Sequence, residues 1–454
     1  MPQDTFLIAN MEVGLERDRE PWLLPAEAFP TLEDAYLFRG RIKRRRGYEN
    51  LGRLITTVGA VDTINNLPVM GLRTRELGVI NQEQLIAFDT TKANSYSTAL
   101  SQFVDISFHT LPATNAFSWT GSDSDFFWTT NYANAFWTTN STRGFQDTWN
   151  TTVGGQGDGI RWYDGTRWTN FLPQVDSTNY LMGATIIIPY RNRLVMLNTT
   201  EGTAYGAFTN YPQRARWSQN GTVFPTTDPL GNATQVPSGY TGGTDNDAWR
   251  SDIVGRGGYI DAPTSQQIIA AQFIRDTLIV FFERSTWQLT YTGDPTLPFI
   301  WQRVNVELGA ESTFSIIPFD SGLVGIGNYG IISASNSEVF RIDQKIPDEV
   351  FNIHNGNDGV KRVYGIRDFA NQLVYWTFPN DTTDPTFPTR VLVYDYLQKT
   401  YAIFNDSLTC FGYYQPFNDI TWADLVQEWG ETPISWNTGQ LQSDYPLDRD
   451  WETS

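Results

Sequence analysis

Ile268-Ile-Ala-Ala-Gln-Phe-Ile274, Leu278-Ile-Val-Phe-Phe282, Trp287-Gln-Leu-Thr-Tyr291 and Phe299-Ile-Trp-Gln-Arg-Val-Asn-Val306 follow one another with only short polar corners between them. The corners are Arg275-Asp276-Thr277, Glu283-Arg284-Ser285 and Gly293-Asp294-Pro295. Runs of this length, rich in β-branched and aromatic residues and separated by turn formers, read as four strands of one antiparallel sheet. The pattern restarts at once. Phe314-Ser-Ile-Ile317, Leu323-Val-Gly-Ile326, Ile331-Ile-Ser-Ala334 and Val339-Phe-Arg-Ile342 are divided by Asp320-Ser-Gly322 and Asn328-Tyr-Gly330. Two four-stranded meanders in succession, with no helix between them, predict a β-propeller.

Working outward, the second strand of each unit carries a short aliphatic or aromatic run just after a polar turn. These runs are Leu85-Ile-Ala-Phe88, Leu194-Val-Met-Leu197, Leu278-Ile-Val-Phe281, Leu323-Val-Gly-Ile326 and Leu373-Val-Tyr-Trp376. The last three recur at about 45–50 residues, the period of a four-stranded blade. The wider early gaps call for an insertion or a further blade. The expected fold is all-β: a β-propeller of about six four-stranded antiparallel blades with an irregular N-terminal arm and inserted loops. A β-sandwich with long loops is the competing arrangement.

Composition agrees with strands. The chain has 454 residues, 14% of them aromatic and 18% charged, and it is plentiful in Thr, Asn, Gly and Pro, which favour turns and sheets over helices. Only 26–36 has an amphipathic helical pattern. A chain this long is large for one core, but a propeller reaches such a size because each blade buries its faces against its neighbours. The lone cysteine, Cys410, excludes an intrachain disulfide framework and fits maturation in a reducing compartment. The opening Met1-Pro-Gln-Asp-Thr5 has no charged-then-apolar leader, so no signal peptide is expected. No apolar run approaches the length of a membrane span.

The net charge of −18 opposes general affinity for nucleic acid, yet charge is unevenly spread. Arg39, Arg41, Lys43, Arg44, Arg45, Arg46 and Arg53 face a single acid, Glu49, within 39–53. The segment 416–454 is the reverse, with Asp419, Asp424, Glu428, Glu431, Asp444, Asp448, Asp450 and Glu452 against Arg449 alone. The organisation expected is an arm over 1–54, a propeller over 55–415 with a long loop at about 219–265 between blades, and an acidic segment over 416–454. Pro21, Trp22 and the basic band are the candidate docking residues, since bands of one sign commonly mark contacts. The bland alternative for the band is a solvated strand whose cations offset surrounding acids.

Sites for bond chemistry find little support. His109 and His354 are the only histidines, neither has a second within metal-ligand spacing, and one cysteine cannot supply a thiolate set. Gly325-Ile-Gly-Asn-Tyr-Gly330 matches the dinucleotide fingerprint, but a strand follows where a helix is required; its glycines are expected to permit positive φ in a hairpin turn. Asp123/Asp125 and Asp245/Asp247 do not continue into a calcium loop and suit Asx-turns. Within 115–172, Phe127-Trp-Thr-Thr-Asn131 is echoed by Phe136-Trp-Thr-Thr-Asn140. Such a face is either covered by a neighbouring sheet or open for stacking on glycans. No cofactor, metal or catalytic residue is expected.

The arm (Glu20-Pro21-Trp22-Leu23-Leu24-Pro25, Ala28-Phe29-Pro30, Tyr36, Arg39-Gly40 through Arg46-Gly47) and Arg214-Ala-Arg-Trp-Ser218 resemble the tail nozzle, or packaged-DNA stabilisation, proteins of short-tailed bacteriophages. Glu283-Arg-Ser-Thr-Trp-Gln-Leu289, Leu308-Gly-Ala-Glu-Ser-Thr313 and Val324-Gly-Ile-Gly-Asn-Tyr-Gly-Ile331 are similar to the blade sequences of the same family. The resemblance implies a non-enzymatic propeller subunit of the virion tail, with about six copies closing into a ring. Its implied partners are portal, adaptor, tail fibres or spikes, and packaged double-stranded DNA passing without sequence-specific binding. An acidic bore would repel DNA and let it slide. A carbohydrate-binding or glycan-cleaving propeller is the second reading.

Overall fold

The computed structural model describes residues 12–414 apart from 59–60, 65–66, 77–82, 99, 108–118, 141–157, 204–207, 228–232, 235, 355 and 381–385, with the backbone alone described at 56–58, 61–64 and 356–357. Within these residues the chain is a six-bladed β-propeller: one six-stranded sheet, and five four-stranded ones that are each an antiparallel meander in chain order. We number the blades 1 (54–105), 2 (128–171), 3 (180–261), 4 (268–305), 5 (317–341) and 6 (364–404).

All five runs singled out in the sequence are second strands: Glu83–Phe88, Arg193–Gly202, Thr277–Phe282, Leu323–Gly327 and Leu373–Phe378. A second strand is flanked by strands within its blade and covered on both faces by adjacent blades, so it becomes a nearly continuous apolar run. Alternate side chains then serve opposite neighbours. In blade 4, Leu278, Val280 and Phe282 pack with blade 3, whereas Ile279 and Phe281 pack with blade 5. In blade 3, Leu194 and Met196 face blade 2, and Val195 and Leu197 face blade 4. The cores lie between the blades.

The blade missing from the sequence pattern is blade 2, whose second strand Ala135–Thr139 is aromatic and Thr-rich. The echoed motifs pair with each other, Trp128 opposite Thr139 and Asn131 opposite Phe136. Ala133 and Asn134 turn the corner, both with positive φ, as a two-residue hairpin matched to strand twist requires.

Four expectations are corrected. The stretch 26–36 is not helical; it holds the strand Ala28–Phe29 and the start of Ala35–Phe38, because Pro30 removes a donor that a helix needs. The 219–265 segment is not a loop between blades. It is largely an insertion inside blade 3, whose fourth strand is Gly258–Asp261, paired to the third through Arg214–Asp261 and Trp217–Gly258. Trp249 and Phe224 anchor this insertion in the core shared by blades 2 and 3. Blade 1 has six strands because Leu54–Val58 adds in parallel to its outer strand Gln102–Asp105 and is itself paired with Val61–Ile64. Of the three glycines in 325–330, only Gly330 has positive φ; a Cβ at Gly327 would lie 2.8 Å from the Gly309 carbonyl oxygen, and one at Gly325 would meet Ile316. Close approach, not turn geometry, selects those two.

Candidate functional site

The arm is folded on the propeller's own rim. Leu15, Leu32, Tyr36 and Leu37 join the core of blades 5 and 6. Arg17 donates to the Glu349 carboxylate at 2.6 Å. The Ile403 N–H donates to Leu32 O at 3.0 Å and the Asp34 N–H to Ile403 O at 2.9 Å, which satisfies the outer edge strand of blade 6. The hairpin Ala35–Phe38 with Arg41–Arg44 follows, its two-residue turn formed by Arg39 and Gly40 at φ 52° and 73°. The chain then reaches the outer edge of blade 1. Inside the same seam, Tyr413 joins the first strands of blades 6 and 1: its hydroxyl donates to Arg367 O at 2.5 Å, and its carbonyl accepts from Thr74 Oγ1 at 2.5 Å. Last and first blades are thus tied from both sides.

The seven cations of the band do not share one role. Arg45 binds Asp34 at 3.3 Å and also pairs with Asp406, while the Tyr48 hydroxyl donates to the same Asp406 at 2.7 Å. The hydrogen bond to Asp406 is the main cause holding the Arg45 guanidinium above its ordinary pKa. Lys43 Nζ sits 3.8 Å over the Phe38 ring, with the Arg39 guanidinium 5.2 Å from it. Arg39, Arg41, Arg44, Arg46 and Arg53 are exposed. Arg44, Arg45, Arg46 and Gly47 border an open groove with Asp34. Pro21–Leu23 is a short 3-10 turn, with Trp22 77% and Leu23 62% exposed. A rigidly seated hairpin therefore presents cations, and the same arm presents an indole.

The sequence offered no signal for the charge cluster in blade 3. Strand alternation puts Ala215 and Trp217 into the core and turns Arg214 and Arg216 to the opposite face. There Arg216 grips Glu201 with two bonds of 2.7 and 2.9 Å, and Arg214 reaches Glu201 at 3.0 Å. Arg214 also holds Asp261 with bonds of 2.8 and 2.9 Å. Tyr211 and Tyr259 stack on the Arg214 guanidinium at 3.6 and 3.8 Å. Glu201, Arg214 and Arg216 are all buried. The familiar Arg-Ala-Arg-Trp motif is a structural clamp joining three strands.

The propeller axis is filled. First strands touch between blades 1 and 2, 2 and 3, 4 and 5, and 5 and 6, and so line it. Trp128 in blade 2 and Phe314, just ahead of blade 5, stand opposite each other in a six-bladed arrangement, yet their rings are 5.8 Å apart. Phe314 stacks on Tyr364 at 5.0 Å, and Phe126 closes on Tyr364 at 6.1 Å. Arg362 donates to the Asp123 carboxylate at 2.9 Å beside this plug. Among the described residues, rings this close leave no open channel between blades 2 and 5.

Other candidates resolve simply. Trp119, Trp137, Trp162 and Trp168 are buried in cores, whereas the strand Trp128–Tyr132 is half-buried. Asp245 pairs with Arg256, and Asp247 with Arg250 at 3.1 Å; the Asp247 N–H donates to Asp245 Oδ1 at 2.9 Å, an Asx-turn. Among the described residues no three His, Cys, Asp or Glu side chains group as a metal site would need, and no helix is long and apolar enough to cross a membrane. His109 and the acidic segment 416–454 lie outside the described residues. Burial pushes the partly buried Cys410 thiol up to about 12.

No protein-family model matches the chain, and no curated protein gives a significant match. Among solved structures it is similar to Kluyveromyces lactis Hsv2, at 10% identity over 74% of this chain and 97% of that one with a TM-score of 0.30. YCF48 from Cyanidioschyzon merolae is 11% identical over 69% and 94%, with a TM-score of 0.27. The extracellular domain of the hybrid two-component system BT4673 from B. thetaiotaomicron is 9% identical over 74% and 52%, with a TM-score of 0.26. Scores this low carry nothing about activity.

Proposed function

We propose that the chain is a structural subunit of the tail nozzle of a short-tailed bacteriophage. About six copies stand as a ring below the portal and adaptor, continue the DNA channel and retain the packaged genome until release. The observation that carries this reading is the basic hairpin seated on the rim of the propeller. Exposed cations on a rigid mount suit an ordered contact with an acidic neighbour, and the arm also carries an exposed indole, a residue type favoured in interfaces. The arm and blade motifs that resemble the nozzle family lend further support. Because each propeller's axis is plugged by Trp128, Phe314 and Tyr364, the duplex travels between subunits. With a net charge of −18, the walls of that bore repel phosphate and offer DNA no resting point. The activity is assembly, with the virion tail as its location and adaptor, portal, and fibres or spikes as partners.

The test is to size the full chain alone and after mixing with portal–adaptor rings. Co-migration with the rings, or a closed ring of its own, is the expected result. A chain that stays monomeric and ignores both rings at micromolar concentration overturns the reading. The glycan reading finds less support, since Trp119, Trp137, Trp162 and Trp168 are buried and Trp128 is half-buried.

A further inference from the structure

The arm hairpin is a sheet of two strands, and no strand pairs with the outer side of Arg41–Arg44. Its register sets Phe38 opposite Arg41, Leu37 opposite Ile42, Tyr36 opposite Lys43 and Ala35 opposite Arg44. The Arg45 N–H donates to Asp34 O at 3.0 Å. Hydrogen bonding alternates along an antiparallel pair, so Arg41, Lys43 and Arg45 bond inward. Ile42 and Arg44 therefore turn their N–H and C=O groups outward, and among the described residues no group bonds to them. Elsewhere the fold closes such edges. The arm covers the outer strand of blade 6, and Leu54–Val58 extends blade 1. The bare edge carries charge of one sign on both faces, because side chains alternate along a strand. Arg41 and Lys43 take one face, and exposed Arg44 shares the other with Ile42, which is 44% exposed.

We propose that this edge takes one extended, acidic strand of a partner protein, paired antiparallel to Arg41–Arg44 and adding a third strand to the hairpin. The proposal rests on the reading of the hairpin as a docking surface and names how it docks. Ile42 and Arg44 together offer two donors and two acceptors, and an extended peptide answers both kinds. A phosphate backbone has no N–H for the two carbonyls, so it leaves half of the edge unmet. A second copy of the same edge is opposed by sign, since cations would stand opposite cations. The pattern of the partner strand follows from the register: acids opposite Arg44, Lys43 and Arg41, and a β-branched residue opposite Ile42.

The test uses the full chain and a capped peptide, Thr-Glu-Glu-Val-Glu-Thr, titrated at low ionic strength. In the proposed register the valine amide faces the hairpin, and the amide of the glutamate after it faces away. N-methylation at the valine should weaken binding at least about tenfold, whereas N-methylation at that glutamate should leave it nearly unchanged. Ile42→Pro removes an outward N–H and no bond of the hairpin, as proline on a sheet edge can. It should reproduce the loss with every charge in place. The proposal is overturned if the unmodified peptide does not bind at millimolar concentration. It is equally overturned if the two methylated peptides bind alike, or if duplex DNA binds as tightly as the peptide, since the surface would then read charge alone. Portal–adaptor rings separate this proposal from the nozzle reading. Rings that capture the Ile42→Pro chain as well as the ordinary one overturn strand pairing and leave the nozzle standing. Rings that capture neither chain, while the peptides behave as expected, uphold strand pairing and overturn the nozzle.

Discussion

In blade 3, Arg214 and Arg216 sit two residues apart on one strand face and share the buried carboxylate of Glu201. In the arm, Arg41 and Arg44 end a two-stranded hairpin and stand in solvent. The residue type is the same and the physics is opposite. A guanidinium taken out of water needs a carboxylate held in fork geometry, and once it has one it specifies how strands meet. A guanidinium left in water contributes little to stability and keeps its charge available to a second surface. Arginines in this chain therefore divide by burial into those that build the propeller and those that can meet something outside it.

The largest effect expected from this division is at Glu201. Glu201→Ala leaves two guanidinia facing a dry space with only Asp261 as a counter-charge, and removing one partner of a buried pair costs about 3–5 kcal/mol. Denaturant unfolding should show the midpoint falling with the slope kept. A loss below about 1 kcal/mol would mean that water reaches the cluster and that it does not clamp the strands. Next comes Arg362→Ala at the axis. Hydrogen bonds to a charged group contribute about 1.5–3 kcal/mol, and the exposed part of Asp123 can rehydrate, so the loss should fall below that at Glu201.

The same division explains what could be read from sequence. Runs such as Leu278-Ile-Val-Phe281 are legible because a strand covered on both faces cannot alternate with polar residues. The second strand of blade 2 escaped because Phe136-Trp137-Thr138-Thr139 reaches the same burial with rings and threonines, a composition shared with exposed stacking faces. Gly258–Asp261 escaped because it is four residues long and far in sequence from the strand it pairs with. The basic band was visible as a run of charge. Its internal division was not, because Arg45 finds Asp406 across 361 residues of chain. Nor does any local pattern announce that Glu201 lies between two arginines, or that Trp128 and Phe314 meet across the axis.

Arg45 falls between the two classes, with its side chain 26% exposed and bound to Asp34 and Asp406. Its truncation should cost about 1 kcal/mol at low salt, the upper end for a partly solvated pair. Repeating the unfolding at high salt should reduce that loss, whereas the penalty at Glu201 should persist, because buried charges are screened far less. Equal salt sensitivity at the two sites would erase the distinction.

The smallest effect on stability is expected where the effect on assembly is largest. Arg41→Glu combined with Arg44→Glu changes two exposed side chains on a hairpin that is held by its backbone pairing and by Tyr36 and Leu37 beneath it. Surface changes of this kind stay within about 0.5 kcal/mol, so the unfolding curve should hardly move. If the hairpin docks as proposed, reversing its charge places like charges together, and the affinity for portal–adaptor rings should fall at least about tenfold. The pair of measurements separates the alternatives. Lost docking with intact stability makes the hairpin a contact surface. Lost stability of about 2 kcal/mol would mean that these arginines offset the chain's own acids and belong with Arg214 as part of the fold.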